Sequence, residues 1–165
     1  MHVLRSALVA RPAVHVFDLI EGAEHYPSFL PWCAGATIVA RDDAIVSADL
    51  QVRWGPARFA MRTRNSKARP ERMTILLERG PFRRFQGEWR LHALREDACR
   101  VEFELDYAFD GALLGAVAGP VFDRIADTLV DAFVRRAYEV PVAGGTTADG
   151  AKADGADATG TPGLT

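Results

Sequence analysis

The chain has little cysteine: Cys33 and Cys99 are the only two in 165 residues. Two thiols set no disulfide framework and suit a reducing compartment. The spacings that announce metal or covalent chemistry are missing as well. His2, His15, His25 and His92 form no pair at helical metal-ligand spacing, and neither HExxH nor CxxC occurs. Ser6, Ser28, Ser47 and Ser66 lie outside any GxSxG setting, and no glycine-rich phosphate loop is present. Long apolar runs are absent too. The opening MHVLRSALVARP has no apolar core of the signal-peptide kind, so no leader is expected. The longest uncharged stretch near the C-terminus, GALLGAVAGPVF (111–122), falls short of the roughly 20 apolar residues that span a bilayer. These absences lead to the expectation of a cytoplasmic protein without metal or catalytic cofactor.

What is present is an ordinary globular composition, 48% hydrophobic and 25% charged, long enough for one domain with a real core. The net charge of −2 conceals an asymmetry. Residues 51–100 hold 13 Lys and Arg against five Asp and Glu, a local excess of +8. Such a segment either keeps strand faces wet or faces a polyanion. From Pro141 the chain is dense in Gly, Ala, Thr and Asp, with Val142 and Leu164 its only large apolar residues. That composition buries too little to offset ordering entropy, so 141–165 is expected to be a disordered tail behind a domain at 1–140.

Within 1–140 the clearest signal is alternation. Val101, Phe103, Leu105, Tyr107 and Phe109 alternate with Arg100, Glu102, Glu104 and Asp106. Phe85, Gly87, Trp89 and Leu91 alternate with Arg84, Gln86, Glu88, Arg90 and His92, and Val46, Ala48, Leu50, Val52 and Trp54 with Ser47, Asp49, Gln51 and Arg53. Period two with one wet face predicts antiparallel strands covered on one side. Turn signals at RDDA, WGPA, NSKARP, RGPF and REDA divide residues 35–110 into six strands, and 2–10 reads as a seventh. RPAVHVFDLI reads as a short helix opened by Pro12. A long C-terminal helix carries Leu114, Val117, Val121, Ile125, Leu129, Phe133 and Ala137, with Gly119-Pro120 expected to kink or restart it. The fold class is therefore α+β, a long helix on the apolar side of a curved antiparallel sheet.

The stretch EHYPSFLPWCAG (24–35) is too broken by Pro27 and Pro31 for one helix, yet dense in aromatics. Cys33 with His25 near it in sequence suggests a nucleophile, but its apolar neighbours favour a buried structural thiol. Glu102, Glu104 and Asp106 share the polar face of one strand and read as solvation rather than a catalytic cluster. For an enzyme inside the sheet, the residues to check are Asp49, Arg62, Thr63 and His92, and strand parity places most of them outside. What remains is apolar capacity, either a filled core or a cavity that a curved sheet fails to close.

Four blocks carry a resemblance: YPSFLPWCAG (26–35), MRTRN (61–65), RGPFRRFQGEWRLHAL (79–94) and GPVFDRIADTLVDAFVRRA (119–137). Together and in this order, over about residues 1–140, they resemble the coenzyme Q-binding START-like family. That family includes the RatA-type ribosome-association toxins and sits within the polyketide cyclase/START superfamily. The resemblance implies a helix-grip fold, a seven-stranded antiparallel sheet around a long C-terminal helix with two short helices after strand one. It implies an apolar tunnel for ubiquinone or a similar isoprenoid lipid, a quinone chaperone supporting respiration, and no catalytic residues. The lipid-binding set expected on this basis is Trp54, Phe59, Trp89, Tyr107, Val117, Phe122 and Ile125 along the tunnel. Tyr26, Phe29, Leu30 and Trp32 stand at its entrance, from which 26–32 would touch the inner membrane surface. The toxin branch implies the alternative, a protein that binds the large ribosomal subunit and blocks subunit association. Arg58, Arg62, Arg64, Arg84 and Arg90 are then the candidate ribosomal RNA contacts. DNA is not an expected partner.

Overall fold

The computed structural model describes residues 1–143; the expected disordered tail lies, from residue 144 on, outside the described residues. Seven strands and two α-helices follow in chain order. They are β1 (His2–Val9), α1 (Ala13–Glu21), β2 (Cys33–Arg41), β3 (Ile45–Trp54), β4 (Ala57–Ala68), β5 (Arg72–Arg79), β6 (Phe82–Arg95), β7 (Ala98–Phe109) and α2 (Ala112–Glu139), with a 3-10 segment (Ala23–Ser28) after α1. The strands form one antiparallel sheet in the order β1-β7-β6-β5-β4-β3-β2. Six strands follow one another through short turns, while β1 crosses to the far edge and pairs with β7, His2 opposite Asp106 and Val9 opposite Cys99. This is the helix-grip arrangement, α2 lying in the grip of a curved sheet.

The alternation does what period two requires. On β7, Val101, Phe103, Leu105 and Tyr107 are buried while their neighbours reach solvent on the other face. On β6, Trp89 and Leu91 are buried beside them. The buried stripe of α2 runs through Ala118, Phe122, Ile125, Ala126, Val130, Phe133 and Ala137. Pro120 sits inside this helix, which continues as one 28-residue element instead of restarting. Pro120 is exposed, so its ring faces solvent on the side away from the sheet.

The helix divides the aromatic core between two groups. Toward its N-terminal half, Phe122 packs on Phe82 (5.3 Å between ring centroids), Tyr107 (4.8 Å) and Phe109 (5.8 Å). Toward its C-terminal half, Phe133 meets Trp89 (5.2 Å), Phe29 (5.3 Å) and Tyr26 (5.4 Å). Most of these contacts are edge-to-face, the arrangement that ring quadrupoles favour.

Candidate functional site

Residues 24–35 fold back on the core rather than projecting from it. The Tyr26 hydroxyl donates to the carbonyl of Ile20, one of the last carbonyls of α1. The amide of Leu30 donates to Tyr26 O (2.8 Å) and that of Arg53 to Trp32 O (2.8 Å), which fixes the segment between α1 and β3. Arg41 of β2 binds Glu24 through both terminal nitrogens (2.6 and 3.0 Å) and lowers the Glu24 carboxyl below its ordinary value. As a result Leu30 and Trp32 are 1% and 8% exposed, Tyr26 and Phe29 are half-buried, and the exposed residues of 26–32 are Pro27, Ser28 and Pro31. The expected membrane contact through 26–32 has no exposed aromatic to make it, because these rings pack inward.

A cleft of about 250 Å³ opens beside this segment, bounded by Phe29, Leu30, Trp32, Trp54, Leu129 and Ala132. Three expected entrance residues, Phe29, Leu30 and Trp32, thus share one wall with Trp54, while α2 supplies the other through Leu129 and Ala132, which were not in the expected lining set. Arg135 and Asp131 lie at its polar margin. The other expected lining residues meet as packed core. Trp89, Tyr107, Phe122 and Ile125 are buried, and Phe59 closes on Phe82 (5.6 Å) and Phe109 (5.8 Å). Val117 departs from them: it is 45% exposed. It lies about 100° around the helix from Ala118, which belongs to the buried stripe, so the expected lining role does not fit its position.

The interior offers little acid–base chemistry. Thr63, expected outside, is buried, because it shares the inward parity of Met61; the Ser47 hydroxyl donates to its carbonyl (3.1 Å). Asp49 and Arg62 lie outside, paired at 2.6 Å, and His92 is exposed beside Glu102. Tyr107 donates its hydroxyl to Asp123, and burial followed by that carboxylate pushes the phenol well above its usual value. Cys33 is buried and donates to Gly35 O (3.4 Å); desolvation pushes its thiol up to about 11, the opposite of an activated nucleophile. Among the described residues no group of three His, Cys, Asp or Glu could hold a metal ion, and no helix is long and apolar enough to cross a membrane.

The basic segment resolves into two classes of arginine. Arg90 sits among Glu88 (3.0 Å), Glu102 (3.2 Å) and Glu104 (3.1 Å), and Arg84 holds Asp106 (3.0 Å). Of the five candidate RNA contacts, Arg62, Arg84 and Arg90 are therefore engaged with carboxylates of neighbouring strands, whereas Arg58 and Arg64 are exposed with no carboxylate within 4 Å among the described residues. Arg53, Arg79 and Arg83, which the sequence did not distinguish, share that second condition.

Comparison with known proteins bears on this geometry. Residues 9–134 match the family described as "Polyketide cyclase / dehydrase and lipid transport". The chain belongs to that family. Its similarity is also to individual members. The ribosome association toxin RatA of Pseudomonas aeruginosa is 37% identical over 109 residues, 65% of this chain and 76% of the relative. The protein of the same name from Escherichia coli K12 is 33% identical over 138 residues, 84% of this chain and 87% of the relative. Among solved structures, the ZhuI aromatase/cyclase of Streptomyces sp. R1128 superposes with a TM-score of 0.70 at 20% identity, covering 88% of this chain and 98% of its own. This polyketide cyclase/START-like membership, of RatA type, agrees with the resemblance carried by the four sequence blocks.

Proposed function

We propose that the protein associates with the large ribosomal subunit, blocks subunit joining and so inhibits translation. The observation that carries this reading is the 138-residue alignment, across nearly the whole domain, with relatives named ribosome association toxins. The exposed strand residues Arg53, Arg58, Arg64 and Arg79 support it, since none has a carboxylate within 4 Å among the described residues and so each is available to phosphate oxygens. Arg62, Arg84 and Arg90 contribute less, because each must first leave a carboxylate. The test is a ribosome profile on sucrose gradients after induction. The protein is expected to sediment with the large subunit while the assembled ribosome peak falls, and Arg58→Glu with Arg64→Glu is expected to weaken the association about tenfold, increasingly so with salt. Unchanged subunit joining, with the protein at the top of the gradient, would exclude the role.

A second reading concerns a ligand and rests on the cleft between Trp54, Phe29 and Leu129. Its walls are mostly apolar, with Asp131 and Arg135 at its margin, and the family description includes lipid transport. We infer that an isoprenoid lipid such as ubiquinone enters there, its apolar area stabilised at about 25 cal/mol per Å² removed from water. Extraction of detergent-free protein into organic solvent followed by mass spectrometry tests it. Absence of any copurified or loadable lipid ends this second reading without touching the first.

A further inference from the structure

The start of α2 turns an apolar surface to solvent. Residues 111–122 carry no charged side chain. Leu113 is 82% exposed, and Ala112, Ala116, Val117 and Pro120 are exposed with it. Gly111, Gly115 and Gly119 recur every four residues, and a methyl group added at Gly111 or Gly119 would touch nothing within 4 Å. They floor a groove of about 460 Å³ with Phe109, Arg83 and Asp123 at its side. Leaving such a surface in water is unfavourable, and a contiguous patch of this kind marks a contact site.

The sheet topology adds a second, independent observation. The turn between β3 and β4, the turn between β5 and β6, and the start of α2 all fall at the same end of the antiparallel sheet. Arg53, Arg58, Arg79 and Arg83 are exposed at that end, and none has a carboxylate within 4 Å among the described residues. Arg53 and Arg58 even stand opposite each other in register, a like-charge pair that disfavours folding. Against the four stand Glu78 and Asp110 near these turns in sequence, Asp49, whose carboxyl Arg62 and then Arg79 lower, and Asp123 in the groove. An apolar helix end with Arg83 beside it and three more exposed arginines at the same end of the sheet fits a surface that is anionic outside and apolar beneath.

We propose that this end of the molecule docks on an anionic phospholipid bilayer. The first turns of α2 lie in the headgroup–acyl boundary, with Leu113 and Val117 inserted and Arg58 and Arg83 on lipid phosphates. RNA would satisfy the arginines but leave Leu113 and Val117 in water. A second copy of the chain would cover those two but bring two sets of arginine together. A bilayer satisfies both.

The test uses the full chain with vesicles of phosphatidylglycerol and phosphatidylcholine, against vesicles of phosphatidylcholine alone. Co-sedimentation is expected to be at least about tenfold stronger on the anionic vesicles and to weaken with salt. Leu113→Ser with Val117→Ser should reduce it about fivefold, with the thermal transition unchanged because both side chains are exposed. A Leu113→Cys variant bearing a polarity-sensitive dye should report an apolar environment on vesicles, Cys33 and Cys99 being buried. Failure to bind anionic vesicles would overturn the proposal, as would equal binding by the serine variant. So would a dye that stays in water on the vesicles, or a concentration-dependent dimer that disappears in the serine variant. These readouts involve no ribosome, so they stand apart from the fate of the ribosomal reading.

Discussion

Cys33 shows how a single environment redirects a reactive group. Its thiol sits among Leu30, Trp32 and the start of β2, and desolvation raises it from an ordinary value of 9.0 to about 11. Because the folded value is the higher one, the thiol's contribution to stability is full below pH 9 and is lost as pH rises from 9 to about 11. Alkylation by iodoacetamide at pH 8 is therefore expected to be slow in the native protein and fast after denaturation; rapid native labelling would show that the site opens. Nearby, Phe29 and Trp32 separate two effects. Trp32→Ala removes a buried indole and should cost about 3–5 kcal/mol of stability. Phe29 is half-buried and borders the cleft, so Phe29→Ala should cost less, about 1–3 kcal/mol, while lowering lipid loading at least as much. Denaturant titration and loading by a quinone, measured on both variants, decide whether the cleft is a binding wall or only packing.

At the scale of elements, α2 combines two halves with different duties. Its C-terminal half buries Ile125, Val130 and Phe133 in the core, and its N-terminal half carries Gly115, Gly119 and Pro120, poor helix formers in an exposed setting. Pro120→Ala is expected to raise stability by about 1–3 kcal/mol, seen as a higher thermal midpoint, because it restores an amide donor inside the helix. The strands were legible in sequence because each has one buried and one wet face, so parity alone located β3, β6 and β7 and the inward residues along them. Pairing was not legible. Parity puts Arg62 and Arg90 outside but does not say that Asp49 stands opposite Arg62, or that Arg90 meets three carboxylates; that depends on register across strands. The same gap hid the contrast with Arg53, Arg58 and Arg83. The inward turn of 24–35 was also beyond periodicity, because the backbone bonds from Leu30 and Arg53 and the Tyr26 hydroxyl bond to Ile20, rather than any repeat, hold it. The four blocks of family resemblance added the helix-grip assignment to a layout that turn signals and periodicity already outlined, but no residue of the site's margin.

For the molecule as a whole, charge is arranged by face. Acidic residues of β6 and β7 neutralise Arg84 and Arg90 in the middle of the outer surface, and the uncompensated arginines lie toward one end and along β4. An exposed, isolated surface ion pair such as Arg84–Asp106 is worth little, so charge reversal at Arg84 should shift stability by less than about 1 kcal/mol while leaving the fold intact. Circular dichroism and a denaturant midpoint within that margin are expected for Arg84→Glu. A much larger loss would mean that the outer carboxylates form a structural network.

The pairing of β1 with β7 has a consequence for synthesis. The first strand of the chain finds its partner only among residues 99–106, almost a hundred positions later. Contacts of such separation slow folding, since a long loop must close before they form. During translation β1 emerges first and waits with its edge unpaired while the meander from β2 to β6 assembles beside it. A nascent chain arrested before residue 98 is thus expected to remain sensitive to protease and prone to aggregate through that open edge. One arrested beyond α2 should be protected. The last strand and helix to be made complete the sheet and the core around which the rest of the protein is built.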